Sequence, residues 1–431
     1  MRSCCCRAWP AAPTTRRQQR RAGPRSARLA EGEHHRPDTS ARVLIALVIG
    51  QLGLHSAMAG LRMASPLQLL REGYSEWNVG LLLALFAAAP VVMAMHAGRM
   101  ADRHGYHRPV RLAVLISAGG MVMAVASTFV AGPLRFAALA IAGMATGTGA
   151  NLGMLTIQRT AGLAARDNAE RVRLFSWLGV APSFSNVIGP VSAGFVIDAA
   201  GFRWAYLLLL LMPLATLVSA RSVPHVALAA RAVETRSNGT RDLLRAPGLK
   251  RLLFVNWMLA MCWDVHSFAV PILGHERGFS ATTIGLVLGT FTLSVSAVRL
   301  VLPALAHRLR ERTVIRGAML GTAVVFAGYP LATSPWAMGS CAVLLGITLG
   351  VVQPMIMSTL HHLTPDNRHG ETLAVRSMAM NLSSTLMPIV FGAAGSVVGA
   401  ALLFWIVGAG VGAGSWVARR LRTAEAAGSA R

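Results

Sequence analysis

The sequence predicts an all-α integral membrane protein with twelve transmembrane helices in two pseudo-symmetric six-helix bundles. Three observations support this fold class: the composition is strongly apolar, long apolar stretches recur, and a motif repeats along the chain. Hydrophobic residues fill 54% of the 431 positions and charged residues only 13%, about half the charged share of a typical soluble domain. This composition excludes a disordered, collagen-like or disulfide-rich secreted protein and disfavours an ordinary soluble enzyme.

The apolar stretches are each long enough to cross a hydrocarbon core of about 30 Å. Before them, residues 1–41 form an arginine-rich segment without an apolar run, which we expect to be a disordered tail. A polar segment at 222–250 is predicted to link a first half at 42–221 to a second half at 251–418, and 419–431 forms a second tail. The predicted spans are 43–65, 77–97, 110–131, 134–158, 173–197 and 202–221, followed by 251–273, 282–305, 314–333, 336–360, 372–398 and 400–418.

The distribution of basic residues predicts the orientation in the membrane. An even number of spans places both termini on one side. Only five of the 41 basic residues fall on the opposite side, and the other 36 on the terminal side. The positive-inside rule makes the terminal side cytoplasmic. Arginine, alanine and glycine are abundant and lysine is almost absent, so we expect the inner membrane of a bacterium. The five exceptions are Arg62, Arg71, Arg135, Arg203 and Arg277.

An internal repeat divides the chain into two similar halves. The stretch GYSEWNVGL at 73–81 reappears as GFSATTIGL at 278–286, an offset of 205 residues. The pair Asp167-Asn168 before the fifth span likewise matches Asp366-Asn367 before the eleventh. Two six-helix halves in parallel register are an architecture that membrane transporters use.

The loop between the second and third spans reads GRMADRHGYHR at 98–108. It resembles the G-x-x-x-D-R-x-G-x-x-R signature of the major facilitator superfamily. Glycines permit a tight turn and close helix approach, and an aspartate can accept hydrogen bonds from a helix N-terminus. The resemblance implies the fold of that superfamily and a loop that locks the cytoplasmic side while the carrier faces outward. The residues that would carry this role are Gly98, Asp102, Arg103, Gly105 and Arg108.

The fifth span contains GPVSAG at 189–194, which resembles the G-P-x-x-G-G core found in antiporters of the superfamily. Pro190 removes a backbone donor and bends the helix, while Gly189 and Gly194 permit close packing. The resemblance favours export over uptake. An ordinary kinked helix, which says nothing about direction, is the alternative.

Asp264 is the only carboxylate that we place near the middle of a predicted span, where an ionisable group needs a partner or a wet cavity. Asn256, Trp263 and Ser267 lie within about 40° of one another on the same helix, beside Asp264. His266 is also on this helix. The functional interpretation makes Asp264 a proton carrier or a counter-charge for a cationic substrate; the alternative is a structural ion pair between helices.

The first span carries Gln51, His55 and Arg62 on one face. The superfamily resemblance implies that the first and seventh helices line a central cavity, which would bring this face near Asp264. There Arg62 could neutralise Asp264 or bind an anion, and His55 could relay protons. Alternatively, Arg62 extends to the outer interface, and His55 and His266 are packing residues. A weaker polar set comprises Asn151, Gln158, Arg159, Asn186, Gln353, Ser377, Asn381 and Ser384.

These observations together predict a secondary transporter that exports a small organic molecule, a drug or a metabolite, by proton antiport. The alternative is proton-coupled uptake of a small anionic metabolite recognised by Arg62. The sequence has no HExxH motif, no phosphate-binding glycine-rich loop and no Cys/His metal cluster, so we expect no enzyme, metal or cofactor. The expected partners are the substrate, protons and the lipid bilayer. We expect a monomer, and no nucleic-acid binding, because the arginines are spread between apolar runs.

Overall fold

The computed structural model describes residues 38–164, 168–223, 248–305, 310–364 and 369–421. This part of the chain is helical, as predicted. A 3₁₀ turn, Tyr329–Leu331, follows the ninth helix. The α-helices are α1 (Asp38–Arg71), α2 (Glu76–His104), α3 (His107–Ser127), α4 (Gly132–Ala164), α5 (Asn168–Ala200), α6 (Phe202–Ala220), α7 (Leu249–Glu276), α8 (Ala281–Leu305), α9 (Glu311–Gly328), α10 (Pro335–Gly350), α11 (Val352–Leu363) and α12 (His369–Ala418).

The described helices overlap the predicted spans, with two differences. Helix α1 begins at Asp38, inside the predicted disordered tail. The predicted span at 336–360 is interrupted at Val351, between α10 and α11. As predicted, the last two spans are separated at Gly399, whose φ of +79° interrupts the helical path of α12. Residues 1–37, most of the predicted linker (224–247) and residues 422–431 lie outside the described part of the chain.

Eleven of the described helical stretches are long and apolar enough to cross a membrane. One of them, Val375–Ala418, has 44 residues. That length suffices for two crossings of about 20 residues each, one on either side of Gly399. The stretches therefore account for twelve crossings, and large apolar side chains such as Leu300 and Val324 are exposed on the outside of the bundle, as expected where a helix faces lipid.

The two copies of the repeated motif fold alike. Gly73 and Gly278 both have positive φ angles, +82° and +69°, which glycine adopts without steric cost. In each copy, the amide of the following residue donates to the carbonyl five residues earlier, at 3.0 Å and 2.8 Å. This bond is the mark of a Schellman turn that ends a helix. The same turn therefore precedes α2 in the first half and α8 in the second.

The direction of the helices defines two sides of the bundle. We call the side where α1 begins and α12 ends the terminal side, and the side of the α1–α2 turn the far side. Within the first half, α3 packs against α4 and α2 against α4. Between the halves, α5 packs along α8 and α2 along α12. The functional site lies between these two inter-half pairs.

Candidate functional site

Two helix crossings join the halves near the far side, and both depend on glycine. Where α5 crosses α8, a Cβ atom on Gly285 would overlap the carbonyl oxygen of Pro190, and one on Gly194 would overlap the backbone of α8. Where α2 crosses α12, a Cβ atom on Gly80 would overlap the carbonyl oxygen of Pro388. Gly80 and Gly285 occupy equivalent positions in the repeat, so the two crossings are related by the pseudo-symmetry of the halves.

The α5–α8 crossing also carries a polar contact. Asp198, in the last turn of α5, accepts a hydrogen bond from the amide of Ala281 at 2.9 Å and another from the amide of Thr282 at 2.6 Å. These amides belong to the first turn of α8, where backbone donors have no partner within the helix. Arg71 of α1 places Nη2 3.6 Å from the Asp198 carboxylate. The far-side end of α5 is thus bonded to the beginning of α8.

Three adjoining cavities lie between the halves, with volumes of about 480, 310 and 60 Å³. Arg62 lines the first and the third, Ser384 lines the first and the second, and Trp263 lines the second and the third. The two larger cavities lie between the crossings and the terminal side. Arg299, for example, lines the 310 Å³ cavity from the terminal-side half of α8. The cavities meet around Arg62 and Asp264.

Arg62 and Asp264 form an ion pair between the two halves. Nη2 of Arg62, on α1, lies 3.9 Å from Oδ1 of Asp264, on α7. Asp264 is almost completely buried, with 8% of its side chain exposed, whereas 33% of the Arg62 side chain is exposed. This separation is longer than a hydrogen bond. Arg62 is counted among the five basic residues of the far side, but its side chain lies at the central cavities.

Other predicted polar residues line the same cavities. His55, Asn151 and Asn381 line the 480 Å³ cavity, to which α1, α4 and α12 contribute. Asn256 lines the 310 Å³ cavity, and its side-chain amide lies 3.0 Å from the sulfur of Met380. The site is therefore assembled from both halves, with an apolar lining and a small number of polar groups, as is usual for small-molecule sites.

A protein-family model described as Major Facilitator Superfamily matches residues 47–249 and 252–431. The chain belongs to the major facilitator superfamily. It is a transporter of that superfamily and not an enzyme. Among relatives, it is 25% identical over 347 residues to the enterobactin exporter EntS of Salmonella choleraesuis (strain SC-B67), covering 77% of this chain and 78% of that protein. The protein of the same name from Escherichia coli O1:K1 / APEC is 25% identical over 327 residues, covering 74% and 75%.

Solved structures share the fold. A transporter of the POT family in complex with 5-aminolevulinic acid aligns with a TM-score of 0.70 at 12% identity, covering 87% of this chain and 95% of that one. A bacterial homologue of the iron transporter ferroportin in an inward-facing state aligns with a TM-score of 0.69 at 16% identity, covering 88% and 97%. At these identities the likeness shows the fold alone.

The superfamily signature loop is partly described. Gly105 ends α2 with a φ of +68°, which accounts for the glycine at this turn. The side chains of Arg103 and Arg108 are exposed. Gly98 and Asp102 lie on α2, but their surroundings are outside the described part of the structure. The locking role of this loop stays a prediction.

The antiporter-type residues of α5 lie against both halves. A Cβ atom on Gly189 would overlap the carbonyl oxygen of Ser56 on α1, whereas Gly194 faces α8. Pro190 lies within the continuous helix α5. The close packing expected of these small residues is present, and their bearing on the direction of transport stays a prediction.

Two predicted site residues do not reach the cavities. Gln51 is buried, with its side-chain amide 3.4 Å from the carbonyl oxygen of Leu178 on α5. His266 is fully buried, and its Nε2 lies 2.9 Å from the hydroxyl of Tyr329. Two residues along a helix rotate the side chain by about 200°, so His266 points away from the face that Asp264 occupies. In this structure both residues pack inside the bundle, and their role in binding stays a prediction.

Arg299 and Asp198 lie at the site but are not among the residues predicted from the sequence. Arg299 is an arginine inside a predicted span, and an ionisable residue at membrane depth is a signal of function in itself. Asp198 gave no comparable signal, because it lies at a predicted span end, where an acid is unremarkable. Its importance follows from the position of α8, which the sequence of α5 does not reveal.

Proposed function

We propose that this transporter exports a small organic molecule across the inner membrane of a bacterium, with both termini in the cytoplasm. Two observations support export. The named relatives are exporters, and residues 189–194 resemble the antiporter motif. The orientation is supported by the arginine distribution, because the positive-inside rule assigns the arginine-rich terminal side to the cytoplasm.

The transport cycle that we propose is alternating access around the Arg62–Asp264 region. The halves touch at two far-side crossings, through Gly285 on α8 and Gly80 on α2, and the larger cavities lie toward the terminal side. With the terminal side cytoplasmic, this arrangement is the cytoplasm-facing state. Superfamily carriers change state by rocking one bundle against the other around a midplane site, which would open the far-side crossings.

The coupling ion in this proposal is the proton, and Asp264 is its carrier. The single observation that supports this role is the geometry of Asp264: a nearly buried carboxylate beside a cavity, whose charge is opposed by Arg62 from the other half at 3.9 Å. In the cytoplasm-facing state, substrate binding would be accompanied by release of the Asp264 proton. In the outward-facing state, proton binding would displace the substrate. Each ligand shifts the equilibrium by its differential affinity for the two states.

The test is proton release from purified protein on substrate addition, measured with a pH indicator in weakly buffered detergent. Compounds that bind the wild-type protein should release up to one proton per protein. Asp264→Asn should bind without release and should lose proton-driven transport in liposomes. Glu72→Gln is the matched control, because Glu72 is a carboxylate that pairs with Arg135 on the far side and should leave both signals unchanged. Full proton-driven transport by Asp264→Asn would refute the role of Asp264.

Proton-coupled uptake of a small anion is the second candidate, and the Arg62–Asp264 pair itself favours it. An anionic group that took Arg62 from Asp264 would leave the buried carboxylate without a counter-charge, which favours its protonation. Anion and proton would then bind together and move in the same direction. The same indicator assay separates the two functions, because uptake predicts that protons are absorbed on binding and antiport predicts that they are released.

A further inference from the structure

Arg299 is a half-buried cation that faces the substrate cavity without a partner. It lines the 310 Å³ cavity together with Asp264 and Gln353. Its Nε atom is buried and has no hydrogen-bond partner, and within the described ranges no hydrogen bond or ion pair to Arg299 occurs. A guanidinium has five donors and no acceptor, and an unneutralised charge at membrane depth is costly.

Asp264 does not neutralise Arg299, because Asp264 pairs with Arg62. Asp264 is also the one carboxylate among the described residues that line the three cavities. Those cavities contain two arginines, Arg62 and Arg299, against this single acid. Among the described lining residues, one positive charge is therefore left without a balancing acid.

Gln353 adds hydrogen-bond donors to the same cavity. Its side-chain oxygen Oε1 accepts a hydrogen bond from Arg376, on α12. Arginine can only donate, so the oxygen of the Gln353 amide must face Arg376, and the free polar group of Gln353 is its NH₂. The cavity wall formed by α8 and α11 thus offers donors and positive charge.

We propose that the transported substrate carries an organic anionic group, of the carboxylate type, that binds Arg299 with help from the Gln353 NH₂ group. A guanidinium matches a carboxylate with two parallel hydrogen bonds. This inference rests on the proposed function in that the cavity holds the transported molecule. An anion on Arg299 leaves Arg62 beside Asp264, so the arginine that binds the anion differs from the one that opposes the Asp264 charge.

The experiment compares three probes that share one ring system and differ in charge: naphthoate, naphthamide and naphthylmethylammonium. Their affinities for the full chain in detergent are measured by titration calorimetry. We expect naphthoate to bind about tenfold or more tightly than either of the other probes, as is typical of a hydrogen-bonded charge pair. Weaker binding of naphthoate than of the amide or the ammonium probe would overturn the inference.

Variants assign the preference to Arg299. Arg299→Gln should reduce naphthoate affinity about tenfold or more and leave naphthamide unchanged, whereas Arg299→Lys should keep most of the preference. Arg111→Gln is the matched control, because Arg111 is exposed on α3. If Arg299→Gln does not fold, Gln353→Glu serves instead, since it replaces the donor by a negative charge and should weaken naphthoate to the same extent. An unchanged naphthoate affinity in a folded variant would refute the assignment.

Failure of this inference is distinguishable from failure of the proposed function. Each probe that binds is also tested for transport by protein-containing liposomes. If only the amide or the ammonium probe binds and is exported, the anion inference is wrong and export stands. If naphthoate binds through Arg299 and is taken up rather than exported, the anion inference stands and the proposed direction is wrong.

Discussion

The Asp198 contact predicts how the far side of the transporter opens. Asp198→Asn removes the negative charge but keeps the size of the side chain. The wild-type carboxylate bonds to the amides of Ala281 and Thr282 through separate oxygens. Asparagine has one oxygen, so it can keep one of these bonds, and its NH₂ group would face the other amide. Because these bonds join α5 of one half to α8 of the other, weakening them should favour the state in which the far side is open.

The size of the effect follows from the geometry of the contact. A side chain that accepts from the first-turn amides of a helix contributes about 0.5–2 kcal/mol. The Asp198 side chain is 27% exposed, so we take about 1 kcal/mol for the lost bond and charge. Arg71 lies 3.6 Å away and is 34% exposed; such an ion pair adds about 0.5 kcal/mol. A total of about 1.5 kcal/mol corresponds to about a tenfold shift in the equilibrium between the two states.

The assay is the distance between spin labels on the far-side surface of the two halves, measured by double electron–electron resonance. Suitable sites are Ala131, before α4, and Thr333, before α10, both of which are exposed. The labels are introduced into a protein whose own cysteines have been replaced. We expect the ratio of long to short distances to rise about tenfold in Asp198→Asn.

A matched control isolates the effect of the contact. Glu72→Gln removes another far-side carboxylate, but Glu72 pairs with Arg135 inside the first half, so the distance distribution should not change. If the ratio of long to short distances in Asp198→Asn stays within twofold of the wild-type ratio, in protein that melts as a single folded species, Asp198 does not hold α5 against α8 and the prediction is refuted.

Two further substitutions test packing. Gly285→Ala places a Cβ atom against the carbonyl oxygen of Pro190 and should shift the same label distances toward the far-side-open state. Gly339→Ala is the control, because a Cβ atom added there meets nothing within 4 Å, and it should leave the distances unchanged. Equal shifts in the two variants would contradict the prediction. Tyr206→Phe removes the 2.7 Å hydrogen bond from a buried hydroxyl to Gln68 and should destabilise the protein by about 1–2 kcal/mol. An unchanged thermal unfolding temperature in detergent would contradict this second prediction.

The sequence predicts most of the fold because the signals of a membrane protein are local. Apolar length identifies each crossing, and the repeated glycines Gly73 and Gly278 mark equivalent turns. The break at Val351 is not predictable in the same way. The chain stays apolar and helical on either side of Val351, so hydropathy does not distinguish a straight helix from an interrupted one.

The site was predictable only in part, since it depends on how helices face one another. The helical face of α1 was predicted to approach Asp264, and the structure places Arg62 there. Gln51 lies on the same face but meets α5 instead of the cavity. The position of a residue around its own helix therefore identifies candidate site residues. Which of these residues line the cavity depends on the neighbouring helix that packs against each turn. Arg299 is the opposite case, because a single charged residue in an apolar span can be recognised from the sequence without knowledge of helix packing.

The repeat also explains why the two far-side crossings should respond differently to mutation. Both are glycine contacts, but on α12 the hydroxyl of Ser396 donates to a carbonyl of its own helix at 2.9 Å. The carboxylate at that crossing, Glu76, lies against Gly395, and its buried oxygen Oε2 has no hydrogen-bond partner in the described structure. The α5–α8 crossing is thus held by charge and packing, and the α2–α12 crossing by packing. Salt and charge substitutions should therefore act on the first, whereas side-chain volume should act on both.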